Sequence, residues 1–144
     1  MWFILAITAA MLWGASYAIS GRLLLSISVP SLLFFTSAVS TVVMLAFALL
    51  SQRFTSDVHA LLDSKNLLLL LGAAIATYIL ANAAISYSIA GRNATLAAAI
   101  EIAYPFFTAF AAWIFFAEKQ FNTATLFGGL LIFTGATIIS VYAM

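Results

Sequence analysis

Five long apolar stretches, broken only by short clusters of charge and turn residues, make up most of this chain: Trp2 to about Ser20, Leu32 to Leu50, Leu67 to Ala90, Ala94 to Phe116 and Ala124 to Tyr142. A helix rising 1.5 Å per residue needs roughly 20 apolar residues to cross about 30 Å of hydrocarbon, and each stretch is about that long. The pattern predicts an all-α membrane protein, a five-transmembrane-helix bundle forming one transmembrane domain over residues 1–144. Between the third and fourth stretches only Gly91, Arg92 and Asn93 remain, which suits a tight helical hairpin with Asn93 capping the helix that begins at Ala94. Asn93-Ala94-Thr95 also matches a glycosylation sequon, but a glycan is hard to attach so close to a bilayer, and the cap is the preferred reading. In the longest connection, Ser51 to Asn66, Val58, Leu61 and Leu62 fall at i, i+3 and i+4. They predict a short interfacial helix capped by Ser56, with Arg53, Asp57 and Lys65 facing water. The first stretch lacks a basic leader and outruns a signal-peptide core, so it is read as a retained span.

Composition removes the soluble alternatives. Hydrophobic residues make up 66% of the chain and charged residues 6%, against about 25% charged in a soluble domain. With no cysteine, and with His59 as its single histidine, the sequence points to no disulfide, no metal and no cofactor. His59 lies in the polar connection and reads as an ordinary exposed histidine in preference to a pH sensor. A net charge of +1 offers nothing to nucleic acid. No nucleophile and base pair suggests an enzyme. Five spans place the termini on opposite sides of the membrane. Arg53, Lys65 and Lys119 then lie on the side of the N-terminus, and Arg22 and Arg92 on the other. The larger set predicts a cytoplasmic N-terminus, but so small a bias is compatible with insertion in both orientations, a dual topology.

Against this apolar background Glu101 stands out, because it cannot be assigned to a loop. It is the eighth residue of the fourth stretch, about 10 Å along a helix and so near the bilayer midplane. A charge there costs at least about 2.5–3.5 kcal/mol, which directs the side chain toward protein or a water-filled cavity. Two readings follow. Low dielectric disfavours the ionised form of an acid, the property a proton carrier needs; equally, a neutral acid can join two helices by a hydrogen bond. Pro105 lacks an N–H, and the carbonyl it leaves free is that of Glu101. Tyr104 and Thr108 follow on the same face, at i+3 and i+7. In the third stretch Tyr78, Asn82 and Ser86 repeat every four residues as a polar stripe. The first stretch adds Trp13, Ser16, Tyr17 and Ser20, and aromatic rings near a carboxylate either hold an organic cation or serve as packing anchors. Small residues every four positions, Ala73, Thr77 and Ala81, and Ala124 with Gly128, predict helix contact seams.

The residues MLWGASYAISGRLL in the first helix carry a Trp-Gly pair followed by small and aromatic residues. From Ala90 to Ser140 the chain reads AGRNATLAAAIEIAYPFFTAFAAWIFFAEKQFNTATLFGGLLIFTGATIIS: a small-residue helix start, a mid-helix proline followed by aromatic and small residues, a glutamate after the helix, and a Gly-rich last helix. The whole chain thereby resembles the drug/metabolite transporter superfamily, EamA-type, as a single five-helix repeat. Usual members of that group carry two such repeats, so the resemblance implies pairing with a second five-helix unit in inverted orientation. It further implies that the fifth helix helps join the units, and that Glu118 matches the family glutamate as a residue fixing a helix end. The expected function is a secondary transporter exporting a small metabolite or drug-like molecule, coupled to protons through Glu101. Its expected partners are the small-molecule substrate, membrane lipids, and an antiparallel copy of itself or a similar five-helix chain. A multi-pass location in a bacterial or archaeal inner membrane is expected. The alternatives are a lipid-directed flippase or binding subunit, and a non-transporting membrane scaffold.

Overall fold

The computed structural model describes residues 1–119 and 122–142; Gln120 and Phe121, in the last connection, lie outside the described residues. Among the described residues every regular element is a helix: α1 (Trp2–Leu23), α2 (Val29–Leu50), α3 (Phe54–Asp63), α4 (Lys65–Gly91), α5 (Ala94–Glu101), α6 (Tyr104–Phe116) and α7 (Thr123–Tyr142). The helices α1, α2 and α4, and α5 taken with α6, are each long and apolar enough to cross a membrane. The 20 residues of α7 also reach about 30 Å end to end. The chain is therefore an integral, multi-pass membrane protein of five spanning segments plus one short surface-type helix.

Two compact units are distinguished, residues 1–22 with 88–144, and residues 23–87. In the first, α5 and α6 pack on α7. Its buried apolar residues are mostly alanines: Ala97, Ala103, Ala109, Ala112 and Ala136, joined by Ile89 and Leu96. Small side chains are what a helix contact in lipid requires, because lipid tails are as apolar as leucine and close van der Waals approach has to supply the attraction. The end of α1 meets the start of α5 closely enough that a Cβ on Gly21 would lie 3.6 Å from the Ala94 methyl.

In the second unit, Ser28 caps α2, its hydroxyl accepting from the Ser31 N–H at 3.4 Å, with Pro30 in the first turn. Gln52 takes a left-handed φ of 58° just past α2, so the chain reverses at once and α3 begins at Phe54. Ser56 is consequently inside the first turn and is not the cap; Arg53 holds the cap position without a side-chain bond. The apolar stripe of α3 is partly covered, with Val58 and Leu61 half-buried and Leu62 exposed. Lys65 belongs to the first turn of α4 instead of the loop.

Many threonine hydroxyls inside the spans are satisfied on their own helices. Thr8, Thr36, Thr41, Thr77, Thr108, Thr134 and Thr137 each donate to the carbonyl four residues back, at 2.8–3.0 Å. Hydrocarbon offers no partner, so this back-bonding lets a polar residue face lipid at small cost. The predicted seams are unoccupied: Ala73, Thr77 and Ala81 are exposed, and a Cβ on Gly128 would meet nothing within 4 Å.

The fourth span departs from the continuous helix expected over residues 94–116. Its start is as predicted, with Asn93 Oδ1 accepting from the Leu96 N–H at 2.8 Å. Asn93→Ala is expected to cost about 1 kcal/mol, read as a lower midpoint in denaturant titration of the detergent-solubilised protein. Ser28→Ala, which removes a longer bond, should shift it less. Seven residues past Ala94 the helix stops altogether. Ile102 (φ −59°, ψ −8°) and Ala103 (φ −73°, ψ −8°) form a turn, and α6 begins at Tyr104 with Pro105 in its first turn. The proline has no proton for the Glu101 carbonyl, and its ring needs room against that carbonyl. The chain tightens instead, with the Ala103 N–H donating to Ile100 and the Phe106 N–H to Ala103, each three residues back, at 3.2 and 3.1 Å.

Candidate functional site

The break between α5 and α6 places Glu101 at the end of one half-helix and Tyr104 at the start of the next. Glu101 is half-buried, whereas Tyr104 is 62% exposed. From α1, the Tyr17 hydroxyl comes within hydrogen-bonding reach of the Glu101 carboxyl, and Tyr104 is close enough to act electrostatically on Tyr17. One turn before Tyr17, Trp13 packs against it with ring centroids 5.6 Å apart and planes inclined at 44°.

Helix register explains why these residues meet. Tyr17 precedes the end of α1, Leu23, by six residues, and Glu101 follows the start of α5, Ala94, by seven. At 1.5 Å per residue both lie about 10 Å from the same end of their helices. The contact between Gly21 and Ala94 pins those ends together, and the opposite run of the two helices then carries Tyr17 to the level of Glu101.

Of the residues singled out from the sequence, Tyr17 is brought to Glu101, with Tyr104 near Tyr17 and Trp13 against Tyr17 one turn away on α1. Pro105 contributes by breaking the helix. Thr108 is placed one turn beyond Tyr104, but its hydroxyl donates to the Tyr104 carbonyl at 3.0 Å and has no proton to offer elsewhere. Tyr78, Asn82 and Ser86 belong to the other unit. Along their stripe burial rises from Tyr78, 62% exposed, to Ser86, 8% exposed. The Asn82 amide donates to the Tyr78 carbonyl at 2.9 Å, so part of the stripe is closed within α4. The turn at Ile102 and Ala103 carried no signal beyond Pro105, and the pairing of Tyr17 with Glu101, 84 positions apart, has none in local periodicity.

Chemically the group is a carboxyl with a phenolic hydroxyl beside it. A carboxyl of this kind can take up and release a proton, and when ionised it can accept from a cationic ligand. Broken helices of this form recur in transporters, where unwound backbone and half-helix ends line the binding region.

Residues 1–141 match the EamA-like transporter family. No curated protein and no solved structure matches the chain.

Proposed function

We propose, from the premise that this chain belongs to the EamA-like transporter family, that it is a secondary transporter exporting a small metabolite or drug-like molecule, with Glu101 carrying the coupling proton. The observation that supports this most is the half-buried carboxyl at a helix break, facing Tyr17. A residue serving only as helix glue has no need of an interrupted backbone beside it, whereas a group that must exchange protons and ligand benefits from one. The reading is tested in proteoliposomes, where a pH gradient should drive uptake or release of at least one compound from a panel of small metabolites and cationic drugs. A flippase would instead move a labelled lipid, and a scaffold would move nothing.

The working form is an inverted pair of five-helix units, either two copies of this chain in opposite orientations or this chain with a similar one, in a bacterial or archaeal inner membrane. Supporting it are the nearly even split of Arg53, Lys65 and Lys119 against Arg22 and Arg92, and the unoccupied small-residue face at Gly128 of α7. Single cysteines placed at Arg92 and at Lys119 should each be labelled in part from both sides of intact cells. Labelling of each from one side only would eliminate the inverted homodimer and leave a second chain as partner.

A further inference from the structure

At one end of the first unit two arginines are held in the same corner with no acid beside them. Arg22 lies in the last turn of α1, and Arg92 lies in the turn between α4 and α5. The packing of Gly21 sets them together, because a Cβ there would lie 3.6 Å from both the Ile89 side chain and the Ala94 methyl, the residues that bracket the turn. The turn is itself fixed on both sides: the Arg92 N–H donates to the Ser88 carbonyl at 3.1 Å, and Asn93 caps α5 at 2.8 Å. Both arginines are exposed, and among the described residues neither guanidinium is in an ion pair or a side-chain hydrogen bond. The span order puts both at one membrane face, whose connections, Leu24 to Ser28 and Gly91 to Asn93, contain no acidic residue. The residues of the other face mix the signs, with Arg53, Lys65 and Lys119 against Asp57, Asp63 and Glu118. An arginine at the end of a span runs its stem along the hydrocarbon and sets its guanidinium among the lipid headgroups. The anion present at that depth is the phosphate of a phospholipid, which a guanidinium binds through paired N–H donors.

We propose that Arg22 and Arg92 form a binding site for the headgroup phosphate of an acidic phospholipid, shared by the two guanidiniums at the corner where Gly21 meets Ala94. The lack of a carboxylate on this face sets the selectivity. The ammonium of a phosphatidylethanolamine finds no counter-charge here and is repelled by both arginines, whereas a phosphatidylglycerol brings its negative charge with hydroxyls alone. The bound lipid is also a joint. It bridges the end of α1 to the α4–α5 turn and adds to the contact that Gly21 already makes there, so the folded chain is stabilised in proportion to the lipid it holds.

The test is native mass spectrometry of the detergent-solubilised full chain with phosphatidylglycerol, phosphatidylethanolamine or inorganic phosphate added, and with the denaturation midpoint followed in parallel. Phosphatidylglycerol should bind in preference to phosphatidylethanolamine and should raise the midpoint. Arg22→Gln and Arg92→Gln should each weaken its binding by about tenfold, the scale of a lost charge-assisted contact. The double variant should lose less than the product of the two single losses, because both groups act on one phosphate. Arg53→Gln, on the other face, should leave binding unchanged, and the midpoint of each variant without lipid reports that it is folded. Equal binding of the two lipids, or single variants that bind as the parent does, overturns the proposal. A double loss equal to the product of the singles overturns the shared site and makes the arginines independent. Displacement of the lipid by inorganic phosphate at comparable concentration overturns the lipid as the ligand in favour of a free anion.

Discussion

Glu101→Gln is expected to abolish proton-coupled flux, by at least about tenfold, while leaving a folded protein. Glutamine has nearly the shape of glutamic acid and keeps an oxygen that can accept from the Tyr17 hydroxyl, but it neither gains nor loses a proton at physiological pH. If the acid served only to join helices, its amide would serve nearly as well, since hydrogen bonds between spans are worth about 0.6 kcal/mol on average. The measurement is substrate-driven proton movement in proteoliposomes for both forms, with the denaturation midpoint as the control for folding. Equal flux in the two forms would take Glu101 out of the mechanism and reduce it to a structural acid.

The second large effect is expected at Pro105. Pro105→Ala supplies the missing N–H to the Glu101 carbonyl, so α5 and α6 can fuse into one helix through Ile102 and Ala103. Fusion would replace the bonds three residues back, at Ile100 and Ala103, with regular ones four residues back. It would also turn Tyr104 relative to Glu101. Amide exchange over residues 102–106 should slow, stability should hold or rise, and transport should fall by about tenfold, the usual scale for a displaced positioning group. A variant that shows slowed exchange and full transport would make the break incidental to function. A variant that shows neither change would mean that packing, and not the proline, holds the turn.

How far the sequence could be read depends on which physical signal each feature leaves. The spans were legible because burial in hydrocarbon needs an unbroken apolar run, and α1, α2 and α4 each extend a few residues past the predicted bounds into polar or interfacial positions such as Arg22, Ser31 and Lys65. Asn93 was legible because a cap is a local bond between neighbours in sequence, and Pro105 announced a disturbance for the same reason. The loss of one backbone bond was legible where a full break occurs, because the sequence marks the missing N–H of Pro105 and not the turn at Ile102 and the buried Ala103. Ser56 was misread as a cap because the left-handed turn at Gln52 leaves no compositional mark; that conformation usually falls to glycine or asparagine. Glu101 was found by its cost in an apolar segment. Its contact with Tyr17 could be placed only once the level at which α1 meets α5 was known.

The alanine-lined contacts of α5, α6 and α7 have a consequence for how this protein responds to its surroundings. Among the described residues no side chain is fully sealed from the exterior, and Phe34, Val42, Leu69, Ile79, Phe115 and Leu131 among many others remain exposed. A soluble protein of this length carries its stability within its own fold, largely independent of dilution. Here much of the contact surface must be completed by lipid or by another chain, so the fold is linked by mass action to whatever covers it. Its resistance to unfolding should therefore depend on the number of lipids per protein chain, and dilution into excess lipid at constant temperature should remove whatever share of it a second chain supplies.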